Sequence, residues 1–340
     1  MHPPSPGLFV KEQHYPAVQA SSVLTLKAIY SRSLQTAQSV SPDLSSEITL
    51  YSDDSDQTYA NLLQRPDIHA VIIALPIPIQ PHFIKQALSA GKHVLAEKPI
   101  AKDMATAQEL ITWYHANIDT SKVTLGIAEQ FRYLNSFLAA ARQVAELGRV
   151  VGVRVRMQTL LMGGKYYETA WRKVPEYQGG FLLDGGVHFI AGMRLMLARE
   201  ARVRSVSAYT AQLQPHLPPC DTVDASLRLA NGGQGTFSVS FGTTFAGSEW
   251  SVACEGGSVR AEGKNVVVKR KGEEEVTREF PDEYGGVKQE VFAWAEGLVS
   301  GKQEDRQKPE EALADLEILE AIIQSGEKDG ARVELRHQEV

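Results

Sequence analysis

The stretch from residue 69 to residue 102 constrains the fold of this chain more than any other part of the sequence. Residues 69–75 form an apolar, largely β-branched run that ends at a proline, which predicts a buried strand. Residues 80–90 carry apolar side chains at helical spacing and precede a glycine, and residues 93–96 form a second short apolar run. A strand–helix–strand unit with a tight crossover belongs to a parallel sheet, whose ligands lie beyond the carboxyl ends of the strands.

A charged tripeptide, Glu97-Lys98-Pro99, directly follows the second of these strands. It is therefore predicted at the edge of the sheet where ligands bind. The alternative is that Glu97 and Lys98 only begin a loop.

Strand-like and helix-like segments alternate through the rest of residues 1–149. Further strands are predicted at residues 24–30, 48–51 and 123–128, and further helices at residues 11–20, 35–47, 55–63, 104–116 and 135–147. This alternation predicts the α/β class, with a doubly wound parallel sheet in a first domain that ends at residue 149.

From residue 150 onward the pattern changes to period-two alternation separated by glycine-rich turns. Strands are predicted at residues 150–161, 203–213, 222–229, 235–241, 248–253, 258–261 and 266–270, and covering helices at residues 181–197, 287–300 and 310–325. Residues 150–340 are therefore expected to form a second α/β domain with a large, open, mostly antiparallel sheet. Because no linker precedes it, the two domains should be firmly joined and share a cleft.

The composition of the chain excludes several classes of function. The net charge is −6 with acidic and basic residues interspersed, which does not suit binding to a nucleic-acid backbone. No apolar run reaches the roughly 18 residues that span a bilayer, and the two cysteines have no metal-type spacing. We expect a cytoplasmic protein with free thiols and with no metal, membrane or nucleic-acid partner.

A second motif, in residues 179–188, places an acid and a histidine on one face of a helix. Asp184 and His188 are four residues apart, and that spacing brings two side chains together on a helical turn. A carboxylate beside an imidazole fixes its tautomer and raises its basicity, so the pair suits proton transfer to or from a hydroxyl. The alternative is that Asp184 caps the helix and His188 packs in an interface.

The ordered set of these motifs resembles the Gfo/Idh/MocA family of nicotinamide-dependent oxidoreductases. The resemblance rests on the Ala74-Leu75-Pro76 loop, on Glu97-Lys98-Pro99, and on the Gly-Gly-x-x-x-Asp-x-x-x-His motif of residues 179–188. It covers essentially the whole chain. It implies a Rossmann domain followed by an α/β domain with an open sheet, and NAD(P)-linked oxidation or reduction of a sugar, polyol or related carbonyl compound.

The resemblance also implies the roles of three catalytic residues. Lys98 matches the family's catalytic lysine, and Asp184 and His188 match its acidic and histidine partners. Lys98 would stabilise the developing alkoxide, His188 would act as general acid or base, and Asp184 would hold a substrate hydroxyl or the imidazole. Family members differ over whether lysine or histidine transfers the proton. A cis Lys98–Pro99 bond is common among them, and a trans bond would remove that detail alone.

A set of cofactor-binding residues follows from the same resemblance. They belong to the phosphate loop, the loop on the nicotinamide side, the ribose region and the second domain: Gly7, Phe9, Pro76, Ile77, Gln80, His82, Glu97, Trp171 and Arg172. Ser31 and Arg32 follow the strand that meets the adenosine ribose, where an acid would repel a 2′-phosphate. A hydroxyl beside a guanidinium suits a phosphate, so NADP is favoured over NAD. The alternative is a solvated arginine in a loop.

The sequence departs from the family at its beginning, where the family has an apolar strand that runs into a glycine-rich turn. Here residues 1–6 carry three prolines, Ser5 stands in place of the first glycine, and Gly7 matches the second. Loss of this central strand would expose the backbone groups of its two neighbours and weaken pyrophosphate binding. We expect a truncated form of an active enzyme. The alternative is a non-catalytic member, degenerate or ligand-sensing, that binds dinucleotide weakly.

Two loops are candidates for the substrate side. Gln130 and Arg132 follow a strand end and are expected near the substrate or the nicotinamide amide, although Arg132 could instead pair with an acid. Lys165, Tyr166 and Tyr167 could line the rim of the pocket, although paired tyrosines also pack in interfaces. The expected partner is a small-molecule substrate. The open sheet of the second domain predicts a homo-oligomer, because its outer face needs cover.

Overall fold

The computed structural model describes residues 7–40, 47–165, 167–197, 199–281 and 284–339. These residues divide into two compact units. The first unit comprises the described residues of Met1–Ala128 and Val287–Pro309, and the second comprises those of Glu129–Gly286 and Glu310–Val340.

The helices and strands follow one another in the order that the sequence predicts for most of the chain. The helices are α1 (Tyr15–Ala20), α2 (Leu34–Gln38), α3 (Tyr59–Leu63), α4 (Gln80–Ser89), α5 (Met104–Asn117), α6 (Asn135–Glu146), α7 (Ala170–Lys173), α8 (Gly180–Met196), α9 (Val287–Ser300) and α10 (Pro309–Glu327). The strands are β1 (Ala28–Ser31), β2 (Thr49–Ser52), β3 (Ala70–Ile73), β4 (His93–Glu97), β5 (Leu125–Ala128), β6 (Val150–Leu160), β7 (Val203–Ala211), β8 (Thr222–Leu229), β9 (Gln234–Ser240), β10 (Gly242–Cys254), β11 (Gly257–Glu262), β12 (Asn265–Arg270), β13 (Glu275–Glu279) and β14 (Val333–Glu334). A helical segment, Val10–His14, leads directly into α1.

The first unit contains two small parallel sheets. β1 pairs with β2, and β3, β4 and β5 form a three-stranded sheet in that order. The middle strand, β4, buries Val94, Leu95 and Ala96 completely, as a parallel strand does when both faces of its sheet are covered. The expected parallel, Rossmann-like α/β architecture is confirmed, and the sheet is divided between β1 and β3.

Side-chain caps determine where two helices of this unit begin. At α3 the Thr58 hydroxyl accepts the backbone N–H of Asn61, and the Asn61 side chain accepts the backbone N–H of Thr58. At α5 the Asp103 carboxylate accepts the N–H of Thr106 at 2.8 Å. These acceptors satisfy N–H groups that have no partner in the first turn of a helix, so the caps stabilise both helices at these points.

The second unit is built on a nine-stranded sheet in the order β13-β12-β11-β10-β6-β9-β8-β7-β14. Only β6 and β9 pair in parallel among these neighbours, so the expected large, mostly antiparallel sheet is confirmed. β8 alternates strictly between buried and less buried positions, as a strand does when one face of its sheet is covered. α8 contributes to that cover, since the Trp250 indole on β10 donates to the carbonyl of Phe189 at 2.9 Å.

One helix covers a different core from the one expected. α9 lies in the first unit, where Val287, Val291 and Trp294 form a buried cluster with residues of α1, β4 and β5. Apolar side chains at helical spacing predict that a helix buries one face, but the spacing does not identify the sheet on which it lies. The expectation that α9 covers the antiparallel sheet is therefore wrong, because α9 packs in the first unit.

The boundary between the units also differs from the expected division between residues 149 and 150. α6 belongs to the second unit and contacts α8, β11 and β12. Its buried Phe137 ring lies 5.1 Å from the ring of Trp250. A helix next to a domain boundary can cover the sheet of either domain, and only the packing of its apolar face shows which one it covers.

In the described part of the chain, no helix is long and apolar enough to span a membrane.

Candidate active site

Lys98 lies at the carboxyl end of β4 in the first unit, as the sequence predicts. β4 ends at Glu97, Lys98 is half-buried, and the Lys98–Pro99 peptide bond is cis. Gln80, at the start of α4, donates through Nε2 to the backbone carbonyls of Glu97 and Pro99. These hydrogen bonds anchor the backbone on both sides of Lys98. Gln80 is itself buried, so the described contacts give it a role in supporting this loop.

The Glu97 carboxylate is bonded to an imidazole that sequence analysis did not identify. His14 Nε2 lies 2.7 Å from Oε1 of Glu97, and both side chains are largely buried. We expected Glu97 to meet the cofactor ribose, whereas this oxygen holds the helical segment before α1 against the end of β4. The two residues are 83 positions apart, and no local pattern links them. The His14 ring also packs edge-on against Phe9, with centroids 5.3 Å apart.

Gly7 opens the helical segment that carries His14. Its φ is +84°, in the left-handed region that favours glycine, and among the described residues no atom beyond its chain neighbours lies within 4 Å of the position that a Cβ would take. The Gly7 carbonyl accepts the N–H of Lys11 at 3.0 Å. The described residues therefore leave the backbone of Gly7 uncrowded, which is a property that a phosphate loop requires.

The loop between β3 and α4 and the first turn of α4 carry three further predicted cofactor residues. Pro76 and Ile77 lie in the turn, and Ile77 is 2% exposed, so its side chain packs in the core. His82 lies on α4 with an exposed ring nitrogen 2.9 Å from the Gln86 amide. Of these three, the structure buries Ile77 and leaves His82 at the surface of the unit.

Ser31 and Arg32 lie at the end of β1, where an adenosine ribose is expected. Two carboxylates lie beside them. Asp53 accepts a hydrogen bond from the hydroxyl of Tyr30, the residue before Ser31, at 2.7 Å, and Asp54 accepts one from the backbone N–H of Leu34 at 2.8 Å. Arg32 would attract a 2′-phosphate and the carboxylates would repel it. The local charges therefore oppose one another and do not decide between NADP and NAD.

In the second unit, His188 on α8 is bonded to Glu129. Nδ1 of the imidazole lies 2.7 Å from Oε1 of Glu129, whose side chain is 1% exposed. A carboxylate has only acceptor sites, so Nδ1 carries the hydrogen and Nε2 is the basic nitrogen of the neutral ring. The His188 ring stacks on Phe131 with centroids 5.0 Å apart and an interplanar angle of 17°. Both the tautomer and the plane of the ring are thereby fixed.

The partner of the imidazole is therefore Glu129 rather than Asp184. Asp184 Oδ2 accepts from Arg172 Nε at 2.7 Å, although Asp184 lies one helical turn before His188. The Arg172 guanidinium lies over the Trp171 ring at 4.0 Å. The structure thus brings together Asp184, Arg172 and Trp171, which the sequence had assigned separately to the substrate and the cofactor.

Glu129 could have been found from the sequence with the rule that identified Glu97 and Lys98. Glu129 is the first residue after β5. In the same way, Glu97 is the last residue of β4 and Lys98 is the first residue after it. What the sequence does not contain is its partner, because His188 lies 59 residues further along the chain.

Arg132 belongs to a buried ion-pair network. Its guanidinium pairs with Asp315 and donates to the carbonyl of Glu311 at 3.2 Å, and its side chain is 4% exposed. Arg194 pairs with the same two acids, at 2.7 Å from Asp315 and 2.9 Å from Glu311. These contacts favour the alternative in which Arg132 pairs structurally with an acid.

The remaining substrate-side candidates have different surroundings. Gln130 Oε1 is buried and has no hydrogen-bond partner among the described residues. Lys165 is exposed in a turn. Tyr167 is 6% exposed and donates to the carbonyl of His216, so it packs in the unit. Tyr166 lies outside the described residues.

A dinucleotide cofactor fits the first unit at two places. The open N-terminal turn at Gly7 suits a pyrophosphate, and the hydroxyl and guanidinium of Ser31 and Arg32 suit the adenosine ribose. In the described ranges, no cluster of three or more His, Cys, Asp or Glu side chains is placed to hold a metal ion.

Two family profiles match this chain. The profile described as "Oxidoreductase family, NAD-binding Rossmann fold" matches residues 7–122. The profile described as "Oxidoreductase family, C-terminal alpha/beta domain" matches residues 142–335. Together they extend over both structural units.

Individual proteins resemble the chain along most of its length. Dehydrogenase FPY6 of Fusarium mangiferae is 37% identical over 335 residues, which cover 96% of this chain and 95% of that protein. D-xylose 1-dehydrogenase (NADP(+)) 2 of Haloferax volcanii is 33% identical over 196 residues, or 57% of this chain and 56% of that protein. The crystal structure of an oxidoreductase from Thermotoga maritima superimposes with a TM-score of 0.84 at 28% identity, covering 96% of this chain and 95% of that one.

Proposed function

Because this chain belongs to the Gfo/Idh/MocA family of oxidoreductases, we propose that it transfers a hydride between a nicotinamide cofactor and a sugar, polyol or related small hydroxy or carbonyl compound. The sugar class is supported by partial similarity to a xylose dehydrogenase. The bound nicotinamide would accept or give the hydride, and the protein must handle the proton on the adjacent oxygen.

The Glu129–His188 pair is the observation that carries this proposal. In the oxidation direction, the substrate O–H gives its proton to Nε2 of His188 as the carbon gives up its hydride. The buried Glu129 carboxylate stabilises the imidazolium that forms, because it already accepts the hydrogen on Nδ1. In the reduction direction the same imidazolium returns the proton to the oxygen.

Lys98 supplies the positive charge at the reacting oxygen in this proposal. Its ammonium stabilises the alkoxide that develops as the O–H bond weakens. The Gln80 hydrogen bonds to the carbonyls on both sides of Lys98 keep the backbone in place. Asp184, held by Arg172, positions a second substrate hydroxyl, and Arg172 and Trp171 contribute to the cofactor side.

We propose NADP as the preferred cofactor. The support is that a hydroxyl residue and an arginine, Ser31 and Arg32, stand in sequence at the end of β1, although Asp53 and Asp54 lie close by and oppose a phosphate. Calorimetric titration of the chain with NADPH and NADH tests cofactor binding and this preference together. NADPH should bind more tightly, and Arg32→Ala should remove the difference while Arg65→Ala, a surface arginine paired with Asp67, should not. Equal binding of the two cofactors would refute the preference.

The proposed activity is tested by following nicotinamide absorbance with a panel of aldoses, ketoses and polyols. Turnover of at least one of them, lost in His188→Asn and in Lys98→Met, is the expected result. Tight binding of a sugar without turnover by the unaltered chain would overturn the proposal.

That outcome would instead support the second candidate, a non-catalytic, ligand-sensing member of the family with weak dinucleotide binding. The observation in its favour is the division of the first unit's sheet between β1 and β3. Retention of Lys98, Asp184 and His188 favours catalysis, because a sensor has no need of residues for proton transfer.

We also propose that the chain forms a homo-oligomer through the outer face of the nine-stranded sheet. The support is a broad groove of about 740 Å³ on that sheet, lined by serines and by charged residues such as Arg154, Arg228 and Glu249. Sedimentation velocity should give more than one chain per particle. A monomer at all concentrations would contradict this proposal.

A further inference from the structure

The buried imidazole of His14 takes no part in the proton transfer proposed above, but it is bonded to the residue that precedes Lys98. Nε2 of the ring lies 2.7 Å from Oε1 of Glu97, and both side chains are largely buried. A carboxylate has only acceptor sites, so Nε2 carries the hydrogen. Among the described residues, His14 is the group that bonds to the Glu97 side chain.

Stability alone does not account for a polar pair at this place. Nδ1 of His14 is buried and has no hydrogen-bond partner among the described residues. Such an unsatisfied atom costs about 1–3 kcal/mol, and replacing both partners of a buried hydrogen bond with apolar groups can be nearly neutral. The surroundings are apolar, since Leu95, on the same face of β4 as Glu97, forms a buried cluster with Ala17 and Trp294. Two apolar side chains would therefore fill this position without loss of stability.

The bond to His14 does act on the direction of Lys98. Glu97 is the last residue of β4, and Lys98 follows it directly. The two residues share one planar peptide unit, so a rotation of Glu97 about the strand axis turns the Cα–Cβ bond of Lys98 as well. Holding the Glu97 side chain therefore restricts where the lysine points.

The hydrogen bonds of Gln80 to the backbone do not make this contact redundant. They end on the carbonyl oxygens of Glu97 and Pro99. A carbonyl oxygen accepts over a broad range of directions, so a bond of this kind leaves the peptide unit some freedom to rock. The side-chain bond from His14 adds a second fixed point on Glu97, at a distance from the carbonyl.

We propose that His14 is a positioning residue that acts through Glu97 to hold Lys98 at the reacting oxygen. This inference rests on the role of Lys98 in the proposed function. The imidazole belongs to the helical segment Val10–His14, which follows the predicted phosphate turn, and its ring packs edge-on against Phe9 with centroids 5.3 Å apart. The segment that carries the phosphate turn therefore also supports the lysine.

A pair of substitutions at His14 separates the hydrogen bond from the bulk of the ring. His14→Phe keeps a ring of similar size and removes the donor, and kcat should fall about tenfold to a hundredfold, as expected for a reacting group displaced by about 1 Å. KM should change less than about twofold, because the bond acts on transition-state stabilisation. His14→Gln places an amide nitrogen near the position of Nε2 and should recover most of the lost kcat. No recovery in His14→Gln would overturn the proposal.

Because His14 acts through Lys98, its effect should disappear when the lysine is absent. In a Lys98→Met background, His14→Phe should lower the residual kcat by less than about twofold. An equal further loss in that background would overturn the proposal, since the ring would then act independently of the lysine. The matched control is His93→Phe: Nδ1 of His93, at the other end of β4, lies 3.0 Å from the hydroxyl of Thr124, and this variant should keep its kcat.

A measurement without turnover keeps this inference separate from the proposed function. Acetylation of the full chain, followed by peptide mass spectrometry, gives the relative labelling rate of each lysine. His14→Phe should raise the rate at the half-buried Lys98 at least about threefold, because the end of β4 is no longer held. The rate at the exposed Lys122 should stay the same. An unchanged rate at Lys98 would overturn the inference even in an active enzyme, and a raised rate in a chain without turnover would support it while the proposed function failed.

Glu97→Asp breaks the same bond from the other side and serves if His14→Phe does not fold. The side chain is one methylene shorter, which withdraws the carboxylate from Nε2, so kcat should fall and labelling of Lys98 should rise as in His14→Phe. Urea denaturation of each variant gives its stability. Losses of kcat that merely follow the losses of stability across His14→Phe, Glu97→Asp and His93→Phe would overturn the positioning role.

Discussion

Nδ1 of His188 lies 2.7 Å from Oε1 of Glu129, which is almost completely buried. A buried carboxylate at this distance holds the hydrogen on Nδ1 and leaves Nε2 as the basic nitrogen. The relationship makes Glu129 a positioning residue, because it acts on the reaction through His188.

Glu129→Gln should lower kcat by at least about tenfold, because an imidazole that is no longer oriented loses part of the roughly 10²–10⁴-fold contribution of a positioned general base. An amide can donate as well as accept, so the tautomer is no longer fixed and the imidazolium loses its countercharge. KM should change little. The pH dependence of kcat should shift, which a purely structural role would not cause.

Two further variants control this measurement. Glu129→Asp keeps the carboxylate and should recover part of kcat. Glu146→Gln removes a carboxylate from an exposed pair with Arg270 and should leave kcat unchanged. An unaltered pH profile in Glu129→Gln would contradict the positioning role.

Lys98→Met should reduce kcat by about 10²–10³-fold, because the reacting oxygen loses the charge that stabilises its anionic form. Cofactor affinity should persist. Lys92→Met is the matched control: Lys92 is a buried lysine before the amino end of β4, at the opposite end of the strand from Lys98, and it donates to the carbonyl of Arg65 at 2.7 Å. That variant should lower the free energy of unfolding by about 1 kcal/mol without reducing kcat. Equal turnover in Lys98→Met and the unaltered chain would refute the assigned role.

Asp315→Asn should lower the free energy of unfolding by about 3–5 kcal/mol, since it leaves two arginines, Arg132 and Arg194, with less countercharge inside the second unit. Urea denaturation followed by circular dichroism measures the change. Asp305→Asn interrupts an exposed pair with Lys308 and should cost less than about 1 kcal/mol. Similar stability losses in the two variants would contradict the network described for Arg132.

The two thiols should not react with Ellman's reagent in the folded protein. Cys220 and Cys254 are both buried, and burial, with smaller contributions from Asp221 and Glu327, raises the pKa of Cys220 to about 11. At pH 8 only about one Cys220 thiol in a thousand would be the reactive thiolate. Both should react in denaturant. Rapid reaction of the native protein at pH 8 would contradict the burial of these two thiols.

The sequence by itself determined the fold class and the location of Lys98. Periods of two and of 3.6 residues are local properties, so they predicted the alternation of strands and helices before residue 149 and the large sheet after it. The position of Lys98 followed from the same information, because ligand-binding residues of a parallel sheet lie at the carboxyl ends of its strands. His188 was predicted from its spacing to Asp184, which is also local.

Tertiary structure alone decided which side chains pair. His14 bonds to Glu97, Glu129 to His188, and Arg132 to Asp315, across 83, 59 and 183 residues respectively. A hydrogen bond depends on atoms meeting at about 3 Å, and no periodicity of a single segment encodes which distant segment supplies the partner. The same limit applies to α9, whose apolar face was evident from its sequence and whose core was not.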